Sequence, residues 1–168
     1  MLHVSASKST QIERAESSVV DTGINHAFCA DDVLLVISNS GTNAAPLEVA
    51  AQARTCGMPV IALTSVNHAR SGSGRASVGA LSDIADVVLD NRGRAGDACV
   101  EIDGVPAPMG PTSTVVGAAI VNAVAISAAT HLVSRGLTPD VFVSANVRGG
   151  DEWNDRLVAS YADRIGAL

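Results

Sequence analysis

The tightest constraint on this chain is an unbroken apolar run, Val33-Leu34-Leu35-Val36-Ile37, that stops at Ser38-Asn39-Ser40-Gly41-Thr42-Asn43. The run is rich in β-branched residues and does not alternate, which predicts a strand buried on both faces, as in a parallel sheet. The turn after it is small and polar throughout, and Gly41 can adopt a positive φ. An Ala-rich helix is predicted next, with Asn43 as N-cap, Pro46 in its first turn and Gly57 past its end. Val60–Leu63 then begins a second buried strand. A strand, polar turn, helix and strand in that order place the turn at a strand's carboxyl end and at the positive end of a helix. An anion is favoured there.

The pattern continues in both directions. Leu2–Ser7 reads as a short strand, followed by a helix from about Ser9 with Ile12, Ala15, Val19, Val20 and Ile24 at helical spacing. Ser9 or Thr10 caps that helix, with Glu13 near the capping-box position. Ser65–Ser82 is rich in Ser, Gly and Arg and has no period, so it reads as a loop with a short helix after it. Ala85–Leu89 is a third buried strand, Cys99–Ile102 a short one, and Gly104–Gly110 extended because of Pro106 and Pro108. Pro111 opens a long helix that runs to Arg135 and stops at Gly136. Val141–Ala145 reads as a further strand. Asn146–Asn154 is a Gly-bearing turn into a last amphipathic helix with Leu157, Val158, Tyr161 and Ile165 as its stripe. Strands separated by helices imply an α/β fold: a doubly wound, mostly parallel sheet flanked by helices in three layers, α/β/α. The 168 residues fit one domain.

Composition narrows the function classes. A net charge of −6 argues against a nucleic-acid partner or an anionic membrane surface. It leaves room for a small phosphorylated ligand, which a turn binds through backbone N–H groups and hydroxyls. The long helix is apolar enough for a membrane span, but its Ala and Gly content and its globular flanks favour burial between the sheet and a partner subunit. Cys29, Cys56 and Cys99 are odd in number and lack metal-ligand spacing, which fits a reduced cytoplasmic compartment. No charged segment followed by an apolar one opens the chain. No metal or cofactor is expected.

The sequence ISNSGTN, followed by a helix and then VIALTS, resembles the sugar isomerase (SIS) domain, whose signature is S-x-S-G-x-T after a buried strand. Ser38, Ser40 and Gly41 match that signature, and Asn43 stands where Thr is usual. SASKSTQIER, DVVLDN, GPTSTVVGAAIVNA and VFVSANVRGGDEWN extend the likeness over nearly the whole chain, to a bacterial subgroup regarded as phosphosugar isomerases. The resemblance implies a flavodoxin-like topology. It also implies a phosphate site on Ser38, Asn39, Ser40, Gly41, Thr42 and Asn43, completed by Ser113 and Thr114. Assembly through helices, as a homodimer or higher homo-oligomer, is implied too. SIS domains normally begin with a helix and a first strand ending in a Gly- and Ser-bearing turn. No such segment precedes Val33, so the chain is expected to be short at its N-terminus.

Two functions from different classes follow. In the first, the protein is an aldose–ketose isomerase of a sugar phosphate, which needs a base to move a proton between adjacent carbons and a group to open the ring. Glu152, Glu48 and His68 are the candidates, with Glu152 preferred as base and His68 for ring opening. Glu152 follows the Val141–Ala145 strand, beside Gly149 and Gly150 and next to Asp151, which could cap the last helix. In the second, the chain is a non-catalytic module that binds or senses phosphosugars; an SIS-type sugar-phosphate lyase is a further variant.

Overall fold

The computed structural model describes residues 30–71, 79–163 and 165. The strand expected at Leu2–Ser7 and the helix expected after Ser9 lie outside the described residues. The chain divides into two compact units, Met1–Val121 and Asn122–Leu168.

In the first unit, β1 (Leu34–Ile37), β2 (Val60–Thr64) and β3 (Val87–Asp90) form a parallel sheet in the order β1-β2-β3. α1 (Ala44–Thr55) carries the chain from β1 to β2, and the short helices α2 (Val66–Arg70) and α3 (Leu81–Ile84) lie between β2 and β3. Side chains alternate across a strand, so Val60, Ala62 and Thr64 of β2 face one way and Leu63 the other. Val60 and Ala62 pack into a core with Val36, Leu47, Ala50, Ala53, Met58 and Leu81. The alanines at Ala50 and Ala53 let α1 approach the sheet closely, as expected of a core built from small aliphatic groups. Gly57 ends α1 with φ +77°. Its N–H donates to Arg54 O at 3.0 Å and the Met58 N–H donates to Ala53 O at 3.0 Å. These two bonds form a Schellman closure, and Met58 and Ala53 share the core beneath it.

This is the α/β architecture expected, a parallel sheet with flanking helices, but burial is less even than the sequence implies. Of the three strands, β2 in the middle is the most enclosed, buried at every position but Ile61. Val33 just before β1 and Ile37 at its end are 59% and 58% exposed, and Val87 of β3 is 49% exposed. The physical reason is position. Among the described residues, β1 and β3 are outer strands with one neighbour each, so an apolar run suited to a sheet interior stands at an edge.

β4 (Ala98–Val100) and β5 (Met109–Pro111) form an antiparallel pair, with Ala98 opposite Pro111. Pro111 therefore ends a strand rather than opening the long helix. That helix, α4, spans Ser113–Ser134, and Gly117 is its buried residue, set against Leu63. Gly136 follows it with φ +77°.

In the second unit, Val141–Ala145 does not form a strand. A strand needs a neighbouring backbone to complete its ladder, and here side chains of the last helix, α5 (Gly150–Tyr161), take those bonds. The Val143 N–H donates to Asn154 Oδ1 at 3.0 Å, and Asn154 Nδ2 donates to Val143 O at 2.8 Å. Trp153 Nε1 donates to Val141 O at 2.9 Å. Gly149, with φ +78°, is the N-cap of α5, so Asp151 lies in the first turn instead of capping it. Gly150 is required by this chain's own packing: a Cβ there would lie 2.3 Å from Ser144 O. That contact accounts for the glycine without a ligand.

Candidate functional site

Parallel strands put their carboxyl ends together, and in the first unit three turns meet at that end. Ser38–Asn43 leaves β1, Ser65 and α2 leave β2, and Asn91–Arg94 leaves β3. The Gly-bearing turn Asn146–Asn154 belongs to the second unit.

The first turn is built around Ser38 and Gly41. The Ser38 N–H donates to Leu63 O at 3.0 Å, which ties the turn to the middle strand. Ser38 is buried, and its Oγ accepts the Gly41 N–H at 3.3 Å. A hydroxyl that accepts one hydrogen bond still has its own proton to donate. Gly41 has φ +62°, and a Cβ there would lie 2.6 Å from Thr64 Oγ1, so conformation and space both demand glycine. Gly41 O accepts the Leu81 N–H at 2.7 Å, fixing the start of α3. Thr42 is buried, Ser40 half-buried, and Asn43 takes the extended N-cap conformation expected of it. The first turn of α1 holds no acidic residue. Glu48 sits one turn further on, half-buried.

Asn39 turns its amide toward the other two loops. Its Oδ1 accepts from Asn91 Nδ2 at 2.9 Å, and its Nδ2 lies 3.4 Å from His68 Nδ1. His68 thus lies against the turn, while Arg70 ends α2 exposed. Beside Asn39 is a cavity of about 120 Å³ lined by Ile37, Asn39, Leu63, Asn91, Ser113 and Thr114. It is smaller than the roughly 300–1,000 Å³ of a full small-molecule pocket, so it suits one end of a ligand. Ser113 and Thr114 therefore share a cavity wall with Asn39 of the first turn. Glu152 lies in the first turn of α5 in the second unit, with its side chain exposed.

Three participants were not named from sequence. Asn91 and Gly93 lie in the turn after β3, and nothing in DNRGR marks either one as a partner of the first turn. Asp97 lay in no expected element. It has φ +70°, and its carboxylate caps α4. Oδ1 accepts the N–H groups of Thr112 at 3.0 Å and Ser113 at 2.8 Å, and Oδ2 accepts the Ser113 hydroxyl at 2.5 Å. Ser113 therefore already gives its proton to the chain itself. Burial pushes the Asp97 carboxyl up, but the hydrogen bonds from Ser113 and Thr112 outweigh it and hold the group below its ordinary range.

Asp86 is lowered as well, by the hydrogen bond from Arg54 and then by that from the Val60 N–H, which reaches Oδ2 at 2.8 Å. A carboxyl whose pKa is depressed by folding adds stability above its unfolded value of about 3.9. That stability is lost as pH falls through the folded value. Melting curves should therefore drop on acidification below about pH 4, and Asp97→Asn should flatten part of that drop. An unchanged acid limb in Asp97→Asn would show that the cap adds nothing.

A family model for the SIS domain matches residues 1–65, the part that ends with the turn, α1 and β2. The chain is 44% identical over 156 residues to a UPF0309 protein of Streptomyces griseus, covering 92% of this chain and 61% of that protein. It is 43% identical over 165 residues to one of Brucella anthropi, covering 98% of this chain and 66% of the relative. It is 37% identical over 169 residues to one of Geobacillus thermodenitrificans, covering 100% of this chain and 68% of the relative. The fold and the turn thus define an SIS-type α/β protein. Within that class, the chain belongs to the UPF0309 family. It spans 61% of the length of the Streptomyces relative it matches.

Proposed function

We propose that this protein binds a sugar phosphate, with the phosphate on the Ser38–Asn43 turn, and interconverts its aldose and ketose forms. The observation that carries the binding reading is the start of α1. A buried Ser38 hydroxyl, a left-handed Gly41 and a first helical turn free of carboxylates leave a positive helix end uncompensated by its own acidic side chains. Asn39, Asn91 and Thr114 then offer amide and hydroxyl groups to the sugar. The SIS-domain match over residues 1–65 supports the same ligand class. For the isomerisation, Glu152 is proposed as the base, with Glu48 as the rival, and His68 acts at the ring or carbonyl oxygen.

Ser40→Ala tests the binding site. A hydroxyl-to-phosphate hydrogen bond contributes roughly 1.5–3 kcal/mol. Its loss should weaken sugar-phosphate binding by about tenfold to a hundredfold in calorimetry, with the fold intact. Unchanged affinity removes the phosphate from this turn.

A second reading is favoured by the cavity itself, whose lining is amide, hydroxyl and aliphatic and contains no titratable group. In that reading the protein binds phosphosugars without turning them over. Saturable binding without conversion of any aldose or ketose phosphate decides for it.

The proposed state is a cytoplasmic homodimer joined through α4. Val115 and Ile126 of that helix are 72% and 68% exposed, and such an apolar surface calls for a cover. By length and composition the helix could also cross a bilayer. Light scattering that finds a monomer at micromolar concentration, or co-flotation with lipid vesicles, would overturn the dimer.

A further inference from the structure

The polar side chains at the carboxyl end of the sheet form a hydrogen-bond chain whose direction is set at one end. The Gly93 N–H can only donate, and it donates to Asn91 Oδ1 at 2.8 Å. That fixes the Asn91 amide, whose Nδ2 donates to Asn39 Oδ1 at 2.9 Å. Asn39 must then present Nδ2 to His68 Nδ1, 3.4 Å away. An amide nitrogen has only protons to offer, so the imidazole nitrogen facing it accepts and carries none.

We infer that Asn91, acting through Asn39, sets the tautomer of the neutral His68 ring, with its proton on Nε2 and Nδ1 as the acceptor. Asn91 is only 6% exposed, so water competes little for its amide. The backbone of His68 is fixed from the same place. Its N–H donates to Ser65 Oγ at 3.0 Å, and Ser65 Oγ donates to Gly93 O at 2.6 Å. The network leaves Gly93 by its N–H and returns to it at its carbonyl, with His68 at the far side. Gly93 is also tightly enclosed: a Cβ there would lie 3.0 Å from Asn91 Oδ1 and 3.2 Å from Asn39 Oδ1.

Asn91 and Asn39 are therefore positioning residues, and they choose what His68 can do. In this tautomer the nitrogen outside the network is a hydrogen-bond donor and not a proton acceptor. His68 is suited to donate to an oxygen of the sugar, the ring oxygen or the open-chain carbonyl, and the proton-abstracting base must be another group. The identity of that ligand rests on the sugar-phosphate reading above. The tautomer does not, because it follows from the protein's own hydrogen bonds.

The experiment is nitrogen-15 spectroscopy of the histidine side chains in the full chain without ligand, at about pH 8, above the ordinary histidine range. His68→Gln identifies the signals by their disappearance. The wild-type protein should show Nδ1 bare and Nε2 protonated. Asn91→Asp preserves the shape but replaces the donor facing Asn39 by an acceptor. Asn39 must then turn over, and the proton should move to Nδ1. Asn39→Asp leaves the Gly93–Asn91 bond in place and should produce the same reversal, so it serves if Asn91→Asp fails to fold. A wild-type ring protonated on Nδ1, or a folded variant whose tautomer is unchanged, overturns the relay. A correct tautomer in a protein that no sugar phosphate stabilises against heat supports the relay while removing the ligand assignment.

Discussion

Gly41→Ala should cost the protein stability and, on the proposed function, sugar-phosphate binding. The residue has φ +62°, and the added Cβ would lie 2.6 Å from Oγ1 of the fully buried Thr64 on β2. A left-handed conformation costs a non-glycine residue roughly 1–2 kcal/mol, and overpacking a rigid site adds about 1–3 kcal/mol. If the turn keeps its shape, that sum appears as a lower melting temperature. If the turn moves to relieve the strain, Ser38 Oγ loses the Gly41 N–H and the proposed phosphate seat is lost with it. In that case binding should fall by more than about a hundredfold, equivalent to about 3 kcal/mol. Thr64→Ala in the same chain removes the near contact but not the left-handed strain, so it should restore part of the stability. A Gly41→Ala protein with wild-type melting and wild-type affinity would refute this account of the turn.

Glu152→Gln is expected to lower isomerisation by about a hundredfold or more if Glu152 is the general base. The amide keeps the size of the side chain and removes its basicity. Thermal stabilisation by the sugar phosphate should therefore persist while turnover is lost. Glu152 is exposed at the start of α5, and an acidic residue there also suits the helix dipole, so catalysis is not needed to account for its presence. Glu48, half-buried in α1 one turn past the Ser38–Asn43 turn, is the comparison. Near-normal turnover in Glu152→Gln with a collapse in Glu48→Gln moves the role to Glu48.

The first unit was legible where one residue's chemistry dictated the local shape. Val33–Ile37, Gly41, Gly57 and Val60–Leu63 each announced an element or its end, and the structure has those elements within a residue or so. What was not legible depends on neighbours distant in sequence. The apolar runs suggested strands buried on both faces, yet whether a strand is central or at an edge is decided by which strands flank it. Val141–Ala145 carried a strand pattern but lacks a ladder, because Trp153 and Asn154 satisfy its backbone from a helix. Within the site, the hydroxyl-rich turn was readable because its spacing is local. Asn91 and Asp97 act on residues 52 and 16 positions away, and no local pattern marks such a pairing.

Asp97 makes two helix starts in the first unit unequal. α1 opens with no carboxylate, whereas α4 opens onto one held in its charged form. A sugar monophosphate is itself lopsided, anionic at one end and merely hydroxylated along the rest. On the proposed assignment, the protein's asymmetry and the ligand's match in only one sense. The phosphate goes to α1 and the hydroxyls run toward Ser113 and Thr114, so the ligand's heading is fixed before any contact reads its stereochemistry. A bisphosphate would bring its second dianion up to the Asp97 carboxylate and meet repulsion there. On that assignment Asp97, outside the proposed phosphate turn, should favour a monophosphate over a bisphosphate, and equal affinity for the two ligands would refute it.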